Sequence, residues 1–214
     1  YVYPCLIAAH VHLLYTVVES AMGFNICEFR GMEVFPNTMG GIEKRLREFA
    51  AGKKKSELVV ANNYIISAVD QRRLPTRTEL DSWCSGRPAV IFTIDGHASA
   101  LSTAMLKKIG VDPEGSDGIL AGEANDRNMG KITDAISSAI TLKVLAKGVA
   151  NVENDCAAYG ISHVGALEGS GDSPRDVTAR IMLFLARRME LQVRIYFQYF
   201  DLKRVERFRK YQLH

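Results

Sequence analysis

Two histidines near the start of the chain are the residues best suited to chemistry. One valine separates His10 from His12, and an apolar stretch that begins at Tyr1 precedes them. On a strand, residues two apart point to the same side, so both imidazoles would face one point. Neutral imidazole is the commonest protein metal ligand, and the spacing predicts two ligands of a metal site. The alternative is two histidines that hydrogen-bond to backbone groups near a strand end.

Three more side chains that could do chemistry follow predicted strands. Asp95 and His97 come directly after the apolar residues 89–94, and Glu168 follows residues 161–167. Functional groups of parallel α/β folds collect at the carboxyl ends of strands, so all three are candidates for contact with a substrate. Two alternatives are equally open. Asp95 would cap a helix and leave His97 exposed, and Glu168 would lie in a solvated loop.

The hydrophobic pattern indicates which elements position these residues. The pattern predicts a buried first strand over residues 5–11, and we expect this strand to pair in parallel with the strand at 161–167. Because strands and helices alternate in the second half, the pattern predicts parallel strands joined by crossover helices, an α/β fold. The predicted strands there are 89–94, 161–167 and 191–197, and the predicted helices are 98–109, 132–159, 173–189 and a basic helix at the end of the chain.

In the first half of the chain, the sequence pattern predicts a mixture of short elements. A helix over 41–51 precedes a short strand at 58–61, and residues 111–130 have the Gly, Asp and Asn content of a loop. Thr76 and Glu79 have the spacing of a capping box, which predicts a helix that starts at Thr76.

Composition excludes two classes of partner. A net charge of +3 is too small to argue for nucleic acid, and the basic residues 203–210 are interpreted as a solvated helix face. Residues 1–18 carry no Lys, Arg, Asp or Glu, but Pro4 and the two histidines interrupt them, so we predict neither a membrane span nor a signal peptide. The four cysteines match no metal or disulfide pattern and are interpreted as reduced thiols of a cytoplasmic protein.

Four segments, taken together, resemble the amidohydrolase superfamily. Residues Pro4 to His12 are similar to its first-strand signature, Pro-Gly-x-Ile-Asp-x-His-x-His. Further similarity lies in residues 74–81, in 87–97 with their Asp-Gly-His, and in 160–165. In this order they resemble the branch with a long insertion, which includes N-substituted formamide deformylases.

This resemblance implies a (β/α)8 barrel of the TIM type. Residues 1–214 would be one incomplete barrel domain. Residues 13–87 would be a mixed α+β insertion after the first strand, and residues 88–214 would be strand–helix units of the barrel.

The resemblance also implies a metal-dependent hydrolase. His10 and His12 inherit the role of ligands to a divalent metal, with zinc the expected ion, and Asp95 and His97 line the pocket of a small-molecule substrate. The implied reaction is cleavage of an amide or related C–N bond by a metal-activated water.

The sequence also departs from the family pattern. Cys5 and Ala8 replace the glycine and aspartate of the first signature, and Gly165 stands where some relatives carry a histidine. The carboxylated lysine, the two further histidines and the catalytic aspartate of later family strands have no counterpart before His214. We therefore expect an inactive fragment that forms a homo-oligomer or associates with a missing C-terminal half. The alternative is a non-catalytic truncated barrel fragment that acts only through self-association.

Overall fold

The computed structural model describes residues 4–169 and 177–198, together with 203 and 206. The chain divides into two compact units, of which the first comprises residues 1–21 and 141–214 and the second residues 22–140. The helices are α1 (Leu13–Met22), α2 (Met39–Ala51), α3 (Arg77–Trp83), α4 (Thr103–Lys108), α5 (Glu123–Ser137), α6 (Leu142–Ala158) and α7 (Val177–Ala186). The strands are β1 (Leu6–Val11), β2 (Phe24–Asn25), β3 (Glu28–Arg30), β4 (Glu33–Phe35), β5 (Val59–Tyr64), β6 (Ala89–Thr93), β7 (Ala98–Leu101), β8 (Ile119–Ala121), β9 (Ile161–Gly169) and β10 (Gln192–Gln198).

A parallel three-stranded sheet organises the first unit. Its order is β1-β9-β10, so β9 lies in the centre, and both of its neighbours run in the same direction. The predicted parallel pairing of the first strand with residues 161–167 is confirmed. Parallel neighbours need a crossover connection, which α7 supplies between β9 and β10.

A bulge interrupts the pairing of β1 with β9 just before the histidines. Ala8 pairs with Val164 and Val11 pairs with Ala166, so β1 has one residue more than β9 in this interval. Gly165 lies opposite the extra residue. A Cβ at this position would come within 2.3 Å of the carbonyl oxygen of Ala9. The glycine therefore allows the two backbones to approach each other where β1 bulges.

Close backbone packing also joins helices α1 and α6 of the first unit. A Cβ added to Gly148 would lie 2.0 Å from the carbonyl oxygen of Val17, a residue with no exposed surface. The same crossing carries hydrogen bonds from the Ser20 hydroxyl to the Gly148 carbonyl (3.3 Å) and from the Asn151 amide to the Ser20 carbonyl (2.9 Å). Glycine is thus required for this contact between the helices.

The second unit is built on a five-stranded mixed sheet of order β2-β5-β6-β7-β8. Strands β2, β5 and β6 are parallel, and β6, β7 and β8 are antiparallel. Side chains alternate between the two faces of its central strands. Val59 and Ala61 join the cluster of buried residues that includes α2 and α3, whereas Val60 joins the cluster that includes α4 and α5. The unit therefore buries apolar side chains on both faces of its sheet.

The expected capping box at the start of α3 is present. The Thr76 hydroxyl accepts from the Glu79 amide, and the Glu79 carboxylate accepts from the Thr76 amide. Glu79 also binds Arg73, and these hydrogen bonds lower the pKa of its carboxyl to about 2.

Several expected elements are wrong in type or extent. Residues 98–101 form strand β7 instead of the start of a helix, because they pair with β6 as the second arm of a hairpin. Helix α5 begins within the expected loop 111–130. The region expected to form one helix over 132–159 instead contains two helices, α5 and α6. Thr141 is the last residue of the gap between them, and its hydroxyl caps α6 by accepting a hydrogen bond from the Val144 amide.

The placement of two strands also differs from expectation. The strand at 89–93 belongs to the second sheet and not to the sheet of β1 and β9, because its partners are β5 and β7. Strand β1 is not buried: Leu6 and Ile7 are 60% and 67% exposed, since β1 is an edge strand of its sheet. The basic helix expected at the chain end falls mostly outside the described residues.

In the part of the chain that the structure describes, no single helix is long and apolar enough to cross a membrane. Helices α5 and α6 reach that length and composition only when they are taken together.

Candidate functional site

The two histidine rings lie side by side where β1 ends. Strand β1 stops at Val11, and His12 forms the link to α1. The ring centroids of His10 and His12 are 5.5 Å apart, with an interplanar angle of 73°. Both residues are exposed. The predicted proximity of the two imidazoles is therefore confirmed, although His12 lies beyond the strand itself.

The end of β9 orients the His12 ring. Its Nδ1 atom lies 2.7 Å from the carbonyl oxygen of Leu167. Because a carbonyl oxygen only accepts, the hydrogen bond places the ring proton on Nδ1 and leaves the lone pair of Nε2 free. Metal-binding histidines commonly show this arrangement, with one ring nitrogen on a backbone carbonyl and the other on the metal. Sequence reasoning missed Leu167, because a backbone acceptor leaves no signal in side-chain types.

Glu168 is buried at the end of β9. It is 5% exposed, and one carboxylate oxygen accepts a hydrogen bond from the Leu14 amide (3.0 Å). Burial raises the pKa of the Glu168 carboxyl, and the bond to Leu14 opposes this rise. A solvated loop position is thus wrong, and one carboxylate oxygen faces the first turn of α1.

Asp95 and His97 lie in the turn between β6 and β7. One carboxylate oxygen of Asp95 accepts from the Thr93 hydroxyl and from the His97 amide (3.0 Å). These bonds hold the pKa of the Asp95 carboxyl below its usual range. Gly96 has φ = +72°, which glycine adopts without strain. Asp95 therefore stabilises a hairpin turn, and the expected helix cap is wrong because a strand follows.

A network of buried polar side chains forms hydrogen bonds to this turn. Asn125 has no exposed surface; its side-chain amide donates to the Gly96 carbonyl (3.0 Å) and accepts from the Ser99 hydroxyl (2.8 Å). The Gly122 amide donates to the His97 carbonyl (3.1 Å). His97 is exposed on this supported turn. Sequence reasoning missed Ser99 and Asn125. The one signal in the sequence is the position of Asn125, which shares a helix face with the buried Ile132 and Ala135.

The predicted site residues fall into two groups. His10, His12 and Glu168 belong to the first unit, and Asp95 and His97 belong to the second. Two imidazoles fit two of the four positions that a zinc ion usually fills. Within residues 4–169 and 177–198, no group of three His, Cys, Asp or Glu side chains is placed to hold a metal ion.

An apolar cleft of about 430 Å³ lies between α6 and α7 in the first unit. The Arg188 guanidinium lies 4.1 Å from the centre of the Phe184 ring at this cleft. The lining residues are Leu142, Leu145, Ala146, Val149, Ala150, Glu153, Phe184, Leu185 and Arg188, and none of the predicted site residues is among them.

Two solved structures resemble this fold. One is an uncharacterized metal-dependent hydrolase from Pyrococcus horikoshii OT3, with 16% identity and a TM-score of 0.61 over 98% of this chain and 39% of that chain. The other is an uncharacterized metal-dependent hydrolase from Pyrococcus furiosus, with 18% identity and a TM-score of 0.61 over 98% of this chain and 40% of that chain. This chain thus spans well under half of either relative, and at these identities the likeness shows the fold alone.

The sequence comparison extends over almost the whole chain. No curated protein matches it significantly. The model of the amidohydrolase family matches residues 1–213. The chain, with its mixed α/β fold and its paired histidines at the end of the first strand, belongs to the amidohydrolase family.

Proposed function

We propose that this chain supplies the first metal-binding strand of a metal-dependent hydrolase that cleaves an amide or related C–N bond. The observation that carries the proposal is the His10–His12 pair, whose rings are adjacent and exposed. The hydrogen bond to Leu167 leaves the lone pair of His12 Nε2 available to a metal ion. Both similar structures are named metal-dependent hydrolases, which supports a divalent cation, and zinc is the expected ion because it favours imidazole.

Each group of residues has a distinct part in the proposed reaction. When bound in such a site, a divalent metal lowers the pKa of a water molecule and polarises the scissile carbonyl. His10 and His12 would hold it through the lone pairs of their ring nitrogens. Asp95 holds the turn of the second unit that presents the exposed His97. The further ligands are expected outside the residues described here.

The proposal extends to fold, branch and compartment. Strands β1, β9 and β10 would be parallel strands of a TIM-type (β/α)8 barrel. The insertion after its first strand, expected over residues 13–87, would extend over the second unit, residues 22–140. The Asp-Gly-His turn favours the branch that includes N-substituted formamide deformylases. Four free cysteines favour a reducing compartment, the cytoplasm.

Zinc binding tests the proposal directly. We expect weak zinc binding without hydrolysis, detected as zinc-induced shifts of the His10 and His12 ring signals in nuclear magnetic resonance, because two ligands leave a tetrahedral site half filled. His10→Ala and His12→Ala should each abolish the shift of the remaining ring.

His163→Ala is the matched control. His163 is also an exposed histidine of the first unit, but in the pairing of β9 with β1 it lies opposite Ile7, away from the end of β1. This variant should bind zinc as the unchanged chain does. Zinc shifts that survive His12→Ala would contradict the proposal, and tight stoichiometric uptake would show a more complete site than the one proposed.

A second candidate function is a non-catalytic module that acts through self-association. The observation that favours it is the exposed apolar surface on both edge strands of the first sheet, with Leu6 and Ile7 on β1 and the half-exposed Tyr196 on β10. Open edges and uncovered apolar faces recruit other chains. The partner would be a second copy or the remaining part of a barrel.

Sedimentation measures this association. We expect oligomers at micromolar concentration, and Ile7→Lys should shift them towards monomer, because a charge on an open edge opposes strand pairing. Met32→Lys places the same charge on a fully exposed residue of the second unit and should change nothing. A clean monomer of the unchanged chain would rule out the second candidate.

A further inference from the structure

His12 occupies the N-cap position of α1 but does not use its ring as a cap. Its carbonyl oxygen accepts from the Thr16 amide (2.9 Å) and the Thr16 hydroxyl (3.0 Å), as the carbonyl of an N-cap residue does. The side chain of an N-cap residue usually accepts from the second or third amide of the helix. Here the imidazole bonds to Leu167 instead, so the first amides of α1 need another acceptor.

Glu168 supplies that acceptor from β9. Its carboxylate bonds to Leu14, the second residue of α1, and it lies 154 positions away in the chain. The first turn of α1 contains no acidic residue of its own. A negative charge is favourable at a helix N-terminus, which accounts for a nearly buried glutamate at this place.

The register of β9 explains why two consecutive residues reach His12 and the first turn of α1. The pairing of β1 with β9 ends at Val11 and Ala166. Leu167 and Glu168 therefore extend past the end of β1, level with the turn into α1. One of them offers a backbone carbonyl to the ring, and the other offers a carboxylate to the helix.

We propose that Glu168 is a positioning residue for His12. By capping α1, it holds the start of the helix against the end of β9, so that Nδ1 of His12 meets the Leu167 carbonyl and Nε2 points away from that bond. This replaces the expected contact of Glu168 with substrate. The value of a free Nε2 rests on the proposed metal-binding function, whereas the positioning itself requires no metal.

The tautomer of His12 provides the test. In ¹⁵N-histidine-labelled protein without metal, at about pH 8 where imidazole is normally neutral, His12 should carry its proton on Nδ1. Its signal is identified by its loss in His12→Gln. Glu168→Ala should give a mixture of tautomers, whereas Glu168→Gln should keep the Nδ1–H form, because its amide oxygen still accepts from Leu14.

Thr141→Ala is the control for helix capping in general. Thr141 caps α6 in the same unit by accepting from Val144. Its loss should lower the melting temperature about as Glu168→Ala does, without changing the His12 tautomer. If Glu168→Ala lowered the melting temperature but kept the Nδ1–H form, Glu168 would be only a helix cap and the inference would be overturned. If Glu168→Ala did not fold, Glu168→Asp takes its place: the shorter carboxylate should shift the tautomer in part, and an unchanged tautomer would overturn the inference.

Zinc titration separates this inference from the proposed function. Loss of a group that orients a metal ligand typically weakens metal affinity about 10-fold or more. We expect that weakening in Glu168→Ala, relative to Thr141→Ala. If zinc failed to bind the unchanged chain while the tautomer depended on Glu168, the proposed function would fail and the positioning role would stand.

Discussion

Replacing Gly148 by alanine is expected to disrupt the packing of α1 on α6. The new Cβ would lie 2.0 Å from the carbonyl oxygen of Val17 and 2.8 Å from its carbonyl carbon. Both are backbone atoms, so no side-chain rotation relieves the clash and the two helices must separate. Val17 is completely buried, and separation would expose the apolar contacts around it. We expect the free energy of unfolding of the first unit to fall by about 3 kcal/mol or more.

Amide hydrogen exchange, followed residue by residue, measures this loss in α1, α6 and β9. Gly130→Ala is the matched control, because Gly130 lies inside α5 and an added Cβ meets nothing within 4 Å. There the same change should stabilise the helix by about 0.5–1 kcal/mol, since glycine is a poor helix former. Unchanged protection of α1 and α6 in Gly148→Ala would contradict the predicted contact.

Replacing Gly165 by alanine is expected to affect both stability and the histidine pair. Its Cβ would come within 2.3 Å of the Ala9 carbonyl oxygen, next to His10. Strand β1 would have to move away from β9 at the bulge, and overpacking of this kind costs about 1–3 kcal/mol. Because the bulge immediately precedes the site, we expect the His10 ring to move from its place beside His12.

Zinc-induced shifts of the histidine signals report the effect at the site, and thermal unfolding reports the effect on stability. Gly40→Ala is the control, because Gly40 lies in α2 and an added Cβ there meets nothing within 4 Å. We expect Gly165→Ala to lose the shared response of His10 and His12 to zinc, and Gly40→Ala to keep it. A stable Gly165→Ala variant with the zinc response of the unchanged chain would mean that the bulge does not set the position of His10.

These two glycines also bear on how the family signature is interpreted. Some relatives carry a histidine at the position of Gly165, and in this chain the backbone of Ala9 occupies the space that such a side chain would need. His163 does not replace it: its ring nitrogen lies 2.7 Å from the Ser162 hydroxyl, and the residue pairs level with Ile7. The proposed metal-binding role therefore stays with His10 and His12.

Features that depend on neighbouring residues were predictable from the amino-acid sequence. The capping box of Thr76 and Glu79 involves groups within one helical turn, so its residue types predict it directly. The apolar pattern of residues 5–11 and 161–167 predicts two parallel strands, and the spacing of His10 and His12 predicts neighbouring rings. In each case the forces act over a few residues or follow from strand periodicity.

Apart from the pairing of β1 with β9, the features that depend on distant partners came only from the tertiary structure. Asp95 and His97 were expected before a helix, but pairing with β6 makes the next residues a strand, because long-range pairing outweighs local propensity. Glu168 was expected to face substrate or solvent, yet it caps a helix 154 residues away. The bulge opposite Gly165 depends on the register between two strands that are equally remote in sequence. Residue types show which groups can bond, but only packing selects their partners, because a buried carboxylate or amide must be paired wherever the fold places it.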